Sequence, residues 1–452
     1  MKYINLGNEE RDKMEKIDSY YINQVKEEYL QSDVYTIARH ALNNHRMSEI
    51  TRANERTEYT RNNFSINIET LEATNQLASG RCWIFAGLNV LREKIAKKYN
   101  IEKFELSQNY VAFYDKLEKC NYFLEKAIEF IDSDREDRAY DAILKNGIED
   151  GGQWDMFVNI INKYGVVPKD AYPETFQSSH TAAVDNVLNT YLRKFAVEIK
   201  EFGNKNEIKA KKEKAIGDIY KVLCSCFGVP PTSFSFEFTD KDKNYYIYKN
   251  ISPKEFYEEY IDMDLNQYVS IINSPTQDKP FNKLYTVKHL GNVVEGNPIR
   301  YINLEMDRFK ELIVEQLKDG ELVWFGSDCG KFADFKGGIW DDLYIDRYVL
   351  LQIDTQMTKA QQLDTRESAM DHAMVITGVN LDEGTPTKWK IENSWGDKDA
   401  FKGYHVATDS WFDKYVFQAV INKKYLSEDE IEILRSKPIE LELWDPMGTL
   451  AN

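Results

Sequence analysis

The chain predicts an α+β protein, with helices dominating its first half and strands its last third. Up to Cys226, long stretches carry apolar side chains at helical spacing, whereas beyond Leu322 short apolar or alternating runs are separated by turn residues. At 452 residues the chain is long enough for two to four domains around a sizeable core.

Taken in order, residues 1–65 are charge-rich and read as an N-terminal arm, with a helical stretch at Glu9–Tyr29. Phe64–Ile68 alternates like a strand. Ile84, Leu88, Leu91 and Ile95 then recur at helical spacing, so a helix starts near Cys82, just past a Ser-Gly turn. Leu106-Ser107-Gln108 resembles a cap for a helix over Tyr110–Phe130, and Thr181–Cys226 is mostly helical. Ser252 caps a helix that has Pro253 in its first turn. Asn282–His289 and Pro298–Leu304 read as strands, followed by a helix over Arg308–Lys318. Leu322–Gly326, His372–Val379, Thr387–Glu392, Gly403–Ala407 and Val416–Ile421 supply further strands.

Composition is that of a globular protein, 42% hydrophobic and 29% charged. Acidic residues outnumber basic ones 75 to 58, a net charge of −17 that on average repels polyanions and disfavours nucleic acid as a partner. The lysine-rich stretch Lys200–Lys214 also holds Glu201, Glu207 and Glu213, as a solvated helix face does. Met1–Lys16 lacks the apolar core of a signal peptide, and no run of about 18 apolar residues is present to span a membrane. An odd count of five cysteines without a secretory signal points to a reducing cytoplasm. Cys224 and Cys226 have no His or second Cys pair at ligand spacing, so no metal and no cofactor is expected.

The chemistry concentrates on Asn75–Ala86. At the start of a helix, unpaired N–H groups and the positive end of the dipole favour a thiolate, so the Cys82 pKa is expected to be lowered. A nucleophilic cysteine also needs an imidazole, a group to orient it, and donors for an oxyanion. Of six histidines, His40 and His45 lie in the arm, His180 opens a helical region, and His289 and His405 fit structural positions. His372 begins an apolar strand ahead of Asn393-Ser394-Trp395-Gly396. Asn393 can accept its ring N–H, and Trp395 can shield that bond from water. Asp371 competes for the orienting role, but adjacent strand residues point to opposite faces. Gln76 can aim an amide N–H at the oxyanion.

These residues resemble the papain-type cysteine peptidases, in the bleomycin hydrolase and aminopeptidase C branch. Gln76-x5-Cys82-Trp83, His372 before an apolar strand, and Asn393-Ser394-Trp395-Gly396 follow the papain order. Leu106–Tyr110, Asp150–Met156, Val323–Gly326 and Trp444–Gly448 resemble the branch. The resemblance implies a two-lobed fold: a helical lobe with Cys82 at 66–170, a large mainly helical insertion at 171–300, a β-rich, barrel-like lobe with His372 and Asn393 at 301–425, and a C-terminal arm at 426–452. The insertion accounts for His372 lying 290 residues after Cys82, against roughly 130 to 150 in the papain type.

The resemblance further implies a catalytic set of Cys82, His372, Asn393 and Gln76. Gly151 and Gly152 would hold an extended peptide by its main chain. Six subunits would enclose the sites, and each C-terminus, here Asn452, would close its own cleft and pair with the substrate's α-ammonium. The tail ends one residue beyond the length expected of such a protein. The expected activity is a cytoplasmic cysteine aminopeptidase acting on peptides. Its alternatives are an endopeptidase on the same fold, another Cys-His acyl transferase, and a binding protein with an inactive site.

Overall fold

Val323–Ser327 has no side chain that reaches solvent, and the residues around it explain why. In the computed structural model, which describes residues 16–451 except 135, 202 and 203, this strand is central in a large sheet. It pairs antiparallel with His372–Asp382 on one side and Val416–Asn422 on the other. A strand covered on both faces needs apolar residues at every position rather than at alternate ones. Most of Met1–Lys16, which reads as lacking a signal peptide, the start of the Glu9–Tyr29 helix, and Asn452 lie outside the described residues.

Outward from the centre, His372–Asp382 pairs with Thr385–Glu392, and that strand with Tyr404–Thr408. The other half runs through Val416–Asn422, Tyr268–Ile272, Tyr301–Asn303 and Lys283–Val287 to Ile439–Leu441. Strands from the stretch expected as a mainly helical insertion therefore belong to the main sheet. Helices Cys82–Lys98, Gln108–Glu129 and Trp154–Tyr164 pack together in one apolar core with Trp324, Ala373 and Val375 of the sheet. Ala182–Glu198 and Lys205–Phe227 share a separate core with Phe113, Cys120 and Leu124.

The chain forms two compact units, residues 1–56 with 343–356, and residues 57–342 with 357–452. In the first, Asp18 and Ser32 cap helices Ser19–Gln31 and Asp33–Leu42 by accepting from the backbone N–H groups of Tyr20 and Tyr35. Backbone bonds from Ala53 to Tyr344 and from Asp346 to Thr51 tie in the distant segment.

Inside the second unit, one buried ion pair joins the helix that begins at Cys82 to the strand that ends beside Asn393. Arg92 Nη2 lies 2.8 Å from Glu392 Oε1, which also accepts from Asn89 Nδ2 at 2.8 Å. Burial raises the Glu392 carboxyl to about 7, against the pull of Arg92. Arg92→Met strands that carboxyl and is expected to cost about 3–5 kcal/mol in chemical denaturation. A carboxyl with a raised folded-state pKa loses stability as pH rises, so the deficit grows above the ordinary value of 4.5. An unchanged midpoint at pH 8 would refute the pair's role.

Candidate active site

The Ser-Gly turn ends where expected: Arg81 is the cap residue and Cys82 is the first residue of the helix. Cys82 and His372 line the same cleft, about 870 Å³ in volume, together with Gln76, Gly151, Asp371, Thr449 and Leu450. The backbone N–H of Ala373, the residue after the histidine, donates to Cys82 Sγ at 3.5 Å. Two segments almost 300 residues apart in sequence thus meet at one sulfur.

On the far side of the ring, His372 Nε2 lies 2.8 Å from Asn393 Oδ1. That oxygen also accepts from the Ser394 backbone N–H at 2.7 Å, which fixes the amide with its carbonyl toward the imidazole. Nε2 therefore carries the proton, and Nδ1 keeps its lone pair for the thiol. Trp395 stacks on the His372 ring at 4.9 Å, covering it. Asp371 is turned elsewhere, accepting from the Cys329 backbone N–H at 2.9 Å.

Gln76 is placed by a residue the sequence reading passed over. Ser394 Oγ donates to Gln76 Oε1 at 2.6 Å, and Gln76 Nε2 donates one proton to the Ser79 carbonyl at 2.7 Å. Its second amide proton remains for a ligand in the cleft. The signal was in the motif itself, since Ser394 is the second residue of Asn-Ser-Trp-Gly. Asp150 stood out in the sequence only as the start of the Asp150–Met156 stretch. It accepts from the Gly80 N–H at 2.8 Å, while its carbonyl accepts from Trp83 Nε1 at 2.7 Å. Burial favours its neutral form, but Lys116 at 2.6 Å, Thr181 and Gly80 together hold it well below the usual carboxylate range.

Electrostatically the site departs from the expectation of a lowered thiol pKa. Burial pushes Cys82 up to about 11, against the backbone N–H groups of Ala373 and Trp83 that favour the thiolate. Burial likewise brings His372 down to about 4, against the help of Asn393. Each group alone prefers to be neutral, because desolvation outweighs the helix terminus. The charged sulfur is supported when its proton passes to the imidazole and the two charges form together.

The glycines hold this chain's own tail and core. A Cβ on Gly151 would overlap the Leu450 carbonyl oxygen and approach Ala451 Cα to 3.2 Å, and one on Gly152 would run into the Trp83 indole. Gly151 lines the cleft with its bare side against the C-terminal segment, and Gly152 packs on Trp83. The Pro446–Ala451 turn is seated by Tyr301 Oη, which donates to the Met447 carbonyl at 3.1 Å, and by Thr449 Oγ1, which donates to that of Met370 at 2.8 Å. Asn452 follows outside the described residues. Among the described residues no group of three or more His, Cys, Asp or Glu could hold a metal ion.

The profile of the Peptidase C1-like family matches residues 16–448. The chain is 48% identical over 395 residues to aminopeptidase C of Lactobacillus delbrueckii subsp. lactis, covering 86% of this chain and 88% of that protein. It is 40% identical over 393 residues to bleomycin hydrolase of Mus musculus, covering 84% and 86%. The crystal structure of PepW from Lactobacillus rhamnosis HN001 superimposes with a TM-score of 0.94 at 43% identity, covering 96% of this chain and 99% of that one.

Two outcomes follow from the geometry. Protonating His372 removes the acceptor for the thiol proton, and a depressed pKa moves that loss to lower pH. Alkylation of Cys82 by iodoacetamide is therefore expected to fall off with a midpoint well below the ordinary histidine value of 6.5, and a midpoint at or above 6.5 would contradict the burial described. Ser394→Ala frees the Gln76 amide to rotate, and turnover of a peptide substrate is expected to drop about three- to tenfold, the worth of one hydrogen bond. Unchanged turnover would mean Gln76 is held by Ser79 alone.

Proposed function

The chain belongs to the Peptidase C1-like family and is a papain-like cysteine aminopeptidase; from that premise we propose that Cys82, His372, Asn393 and Gln76 carry its reaction and that its own C-terminus makes it an exopeptidase. The observation that carries this reading is the meeting of three things in one cleft: the sulfur, an imidazole backed by an amide, and the chain's last turn.

In the reaction, Cys82 passes its proton to His372 Nδ1 and attacks the carbonyl of the substrate's first peptide bond. The Cys82 backbone N–H and the free Gln76 amide proton hold the oxyanion. His372 returns the proton to the leaving amine, and a water, activated by the same ring, releases the first residue. Asn393 keeps the ring oriented through both proton transfers. Loss of one oxyanion donor in such a site costs on the order of 3 kcal/mol of barrier.

Thr449 and Leu450 line the cleft, with Leu450 and the following Ala451 buried, and this is the side to which the reading assigns a longer acyl chain. An acylated N-terminus lying on that side would meet Thr449 and Leu450. This favours the aminopeptidase over the endopeptidase alternative. The remaining parts of the reading are a homohexamer and a cytoplasmic location. No helix among the described residues is long and apolar enough to cross a membrane.

Cys82→Ala is expected to abolish turnover without unfolding the protein, and retained hydrolysis would end this mechanism. Deleting the last four or five residues is expected to open the cleft to N-acylated peptides. Gly151→Ala, which forces the Leu450 carbonyl away, should do the same to a smaller extent. If free-amine and N-acylated fluorogenic substrates keep their wild-type ratio in both variants, the tail has no part in specificity. A sizing column run on the same preparations reads the hexamer directly.

A further inference from the structure

With Thr449 and Leu450 forming one wall of the cleft, the aminopeptidase reading sends a peptide that reacts at Cys82 through its first residue away from them, past Gln76. Large apolar side chains stand in solvent near Gln76. Trp395 is 38% exposed, Leu77 57% and Phe176 72%. Backbone pairing makes them one row. Asn75 bridges to Trp395 and Ala78 bridges to His180, so Leu77 sits between the two pairings. Phe176 lies flat on the His180 ring, 4.3 Å away with the planes 7° apart.

Leu77 stands out for its backbone. Its φ of 52° is left-handed, a conformation that glycine or asparagine fills far more readily than leucine. The loop is held there from several sides. Asn75 Oδ1 accepts from the Leu77 N–H at 3.0 Å, Gln76 N–H donates to the Ser394 carbonyl at 2.9 Å, and Ser79 Oγ donates to the Gln76 carbonyl at 2.7 Å. A loop that served only to aim Gln76 would do as well with a small residue at 77. Instead it fixes an isobutyl group in water, one residue from the oxyanion donor. Phe176 is fixed in the same way, at the start of a four-residue helix whose capping box pairs Thr175 with Ser178. Gln76 and Ala78, on either side of Leu77, line the cleft, as does Thr181, next to the His180 ring that Phe176 covers, and rigid, exposed apolar groups beside a cleft suit a ligand side chain that covers them.

We propose that Leu77 and Phe176 form a subsite for the second side chain beyond the scissile bond, and that this subsite selects apolar residues. The occupant is the departing part of the substrate peptide. The inference rests on the aminopeptidase reading, in which the acyl side of the cleft admits a single residue and discrimination among longer peptides falls to the leaving side.

The test uses the full-length enzyme and peptides Ala-Ala-Xaa-Gly with a free amino terminus, where Xaa is Leu, Phe, Ser or Asp, and follows release of the first alanine. Leu and Phe are expected to exceed Ser by roughly tenfold in kcat/KM, the range a hydrophobic contact gives. In Leu77→Ser/Phe176→Ser the ratio should fall to within about twofold, and each single variant should lose part of it. A wild-type enzyme that treats the four peptides alike overturns the subsite, as does a double variant that keeps the preference. Should the double variant fail to fold, the wild-type ratio and the two single variants still decide. Release from none of the peptides, by enzyme whose Cys82 still reacts with iodoacetamide, overturns the aminopeptidase reading itself.

Discussion

One hydrogen bond, from His372 Nε2 to Asn393 Oδ1, sets what the rest of the site can do. It fixes the tautomer that leaves Nδ1 basic, and it does so with an acceptor that has no freedom of its own. The Asn393 backbone N–H donates to the Gly403 carbonyl at 3.1 Å, and its side-chain oxygen is shared with the Ser394 N–H. Strand pairing places both residues: His372 opposes Ser327 at the start of its strand, and Val375 opposes Glu392, the residue before Asn393. The buried Arg92–Glu392 pair then joins that strand to the helix bearing the sulfur. Sheet register and one ion pair thus set the approach of thiol to imidazole.

Burial makes the pair reluctant to ionise singly, and that reluctance has a use. A lone thiolate or imidazolium out of water is costly, whereas transferring a proton between them creates both charges side by side with no change in net charge. Two backbone N–H groups already point at the sulfur. The neighbouring carboxylates act against the thiolate. Asp150 is compensated by Lys116, and Asp371 is itself pushed toward its neutral form, up to about 6, by burial and by Asp328. The acidic lining of the cleft therefore weighs on the sulfur less than its count of carboxylates suggests.

Much of this was legible in the residues. The start of the helix at Cys82, the strand after His372, the choice of Asn393 over Asp371, and the shield of Trp395 all follow from local pattern, because periodicity and turn residues report local structure. The family resemblance was equally legible, being spread over most of the chain. What local pattern could not report was long-range partnership. Tyr268–Ile272 is a central strand, but nothing near it in sequence names Val416–Asn422 as its neighbour. The return of residues 343–356 to the N-terminal unit has no local signal either. Gly151 and Gly152 were recognisable as sites of close approach, but a missing side chain does not say what comes close. Here it is Leu450 and Trp83. The expectation of a lowered thiol pKa failed for a related reason: the helix terminus is local, while desolvation depends on everything packed around it.

The two ends of the cleft differ in kind, and the difference gives substrate binding a direction. At one end the wall is the chain's own backbone, with the Leu450 carbonyl against Gly151 and Thr449 tied to Met370. Anything entering there must displace packed, hydrogen-bonded structure. Next to the cleft-lining Gln76, by contrast, Leu77 stands in solvent, as does Phe176, and Trp395 and Phe335 meet edge to face at 5.1 Å and remain partly in water. Covering these surfaces releases water without breaking a protein contact. On the proposed reading, a peptide puts its amino terminus toward the tail and its later side chains over the exposed apolar groups. Reversed, it would face the tail with a chain that has nowhere to go. On the proposed reading, this difference between the two sides, more than the catalytic groups themselves, separates removal of one residue from cleavage within a chain.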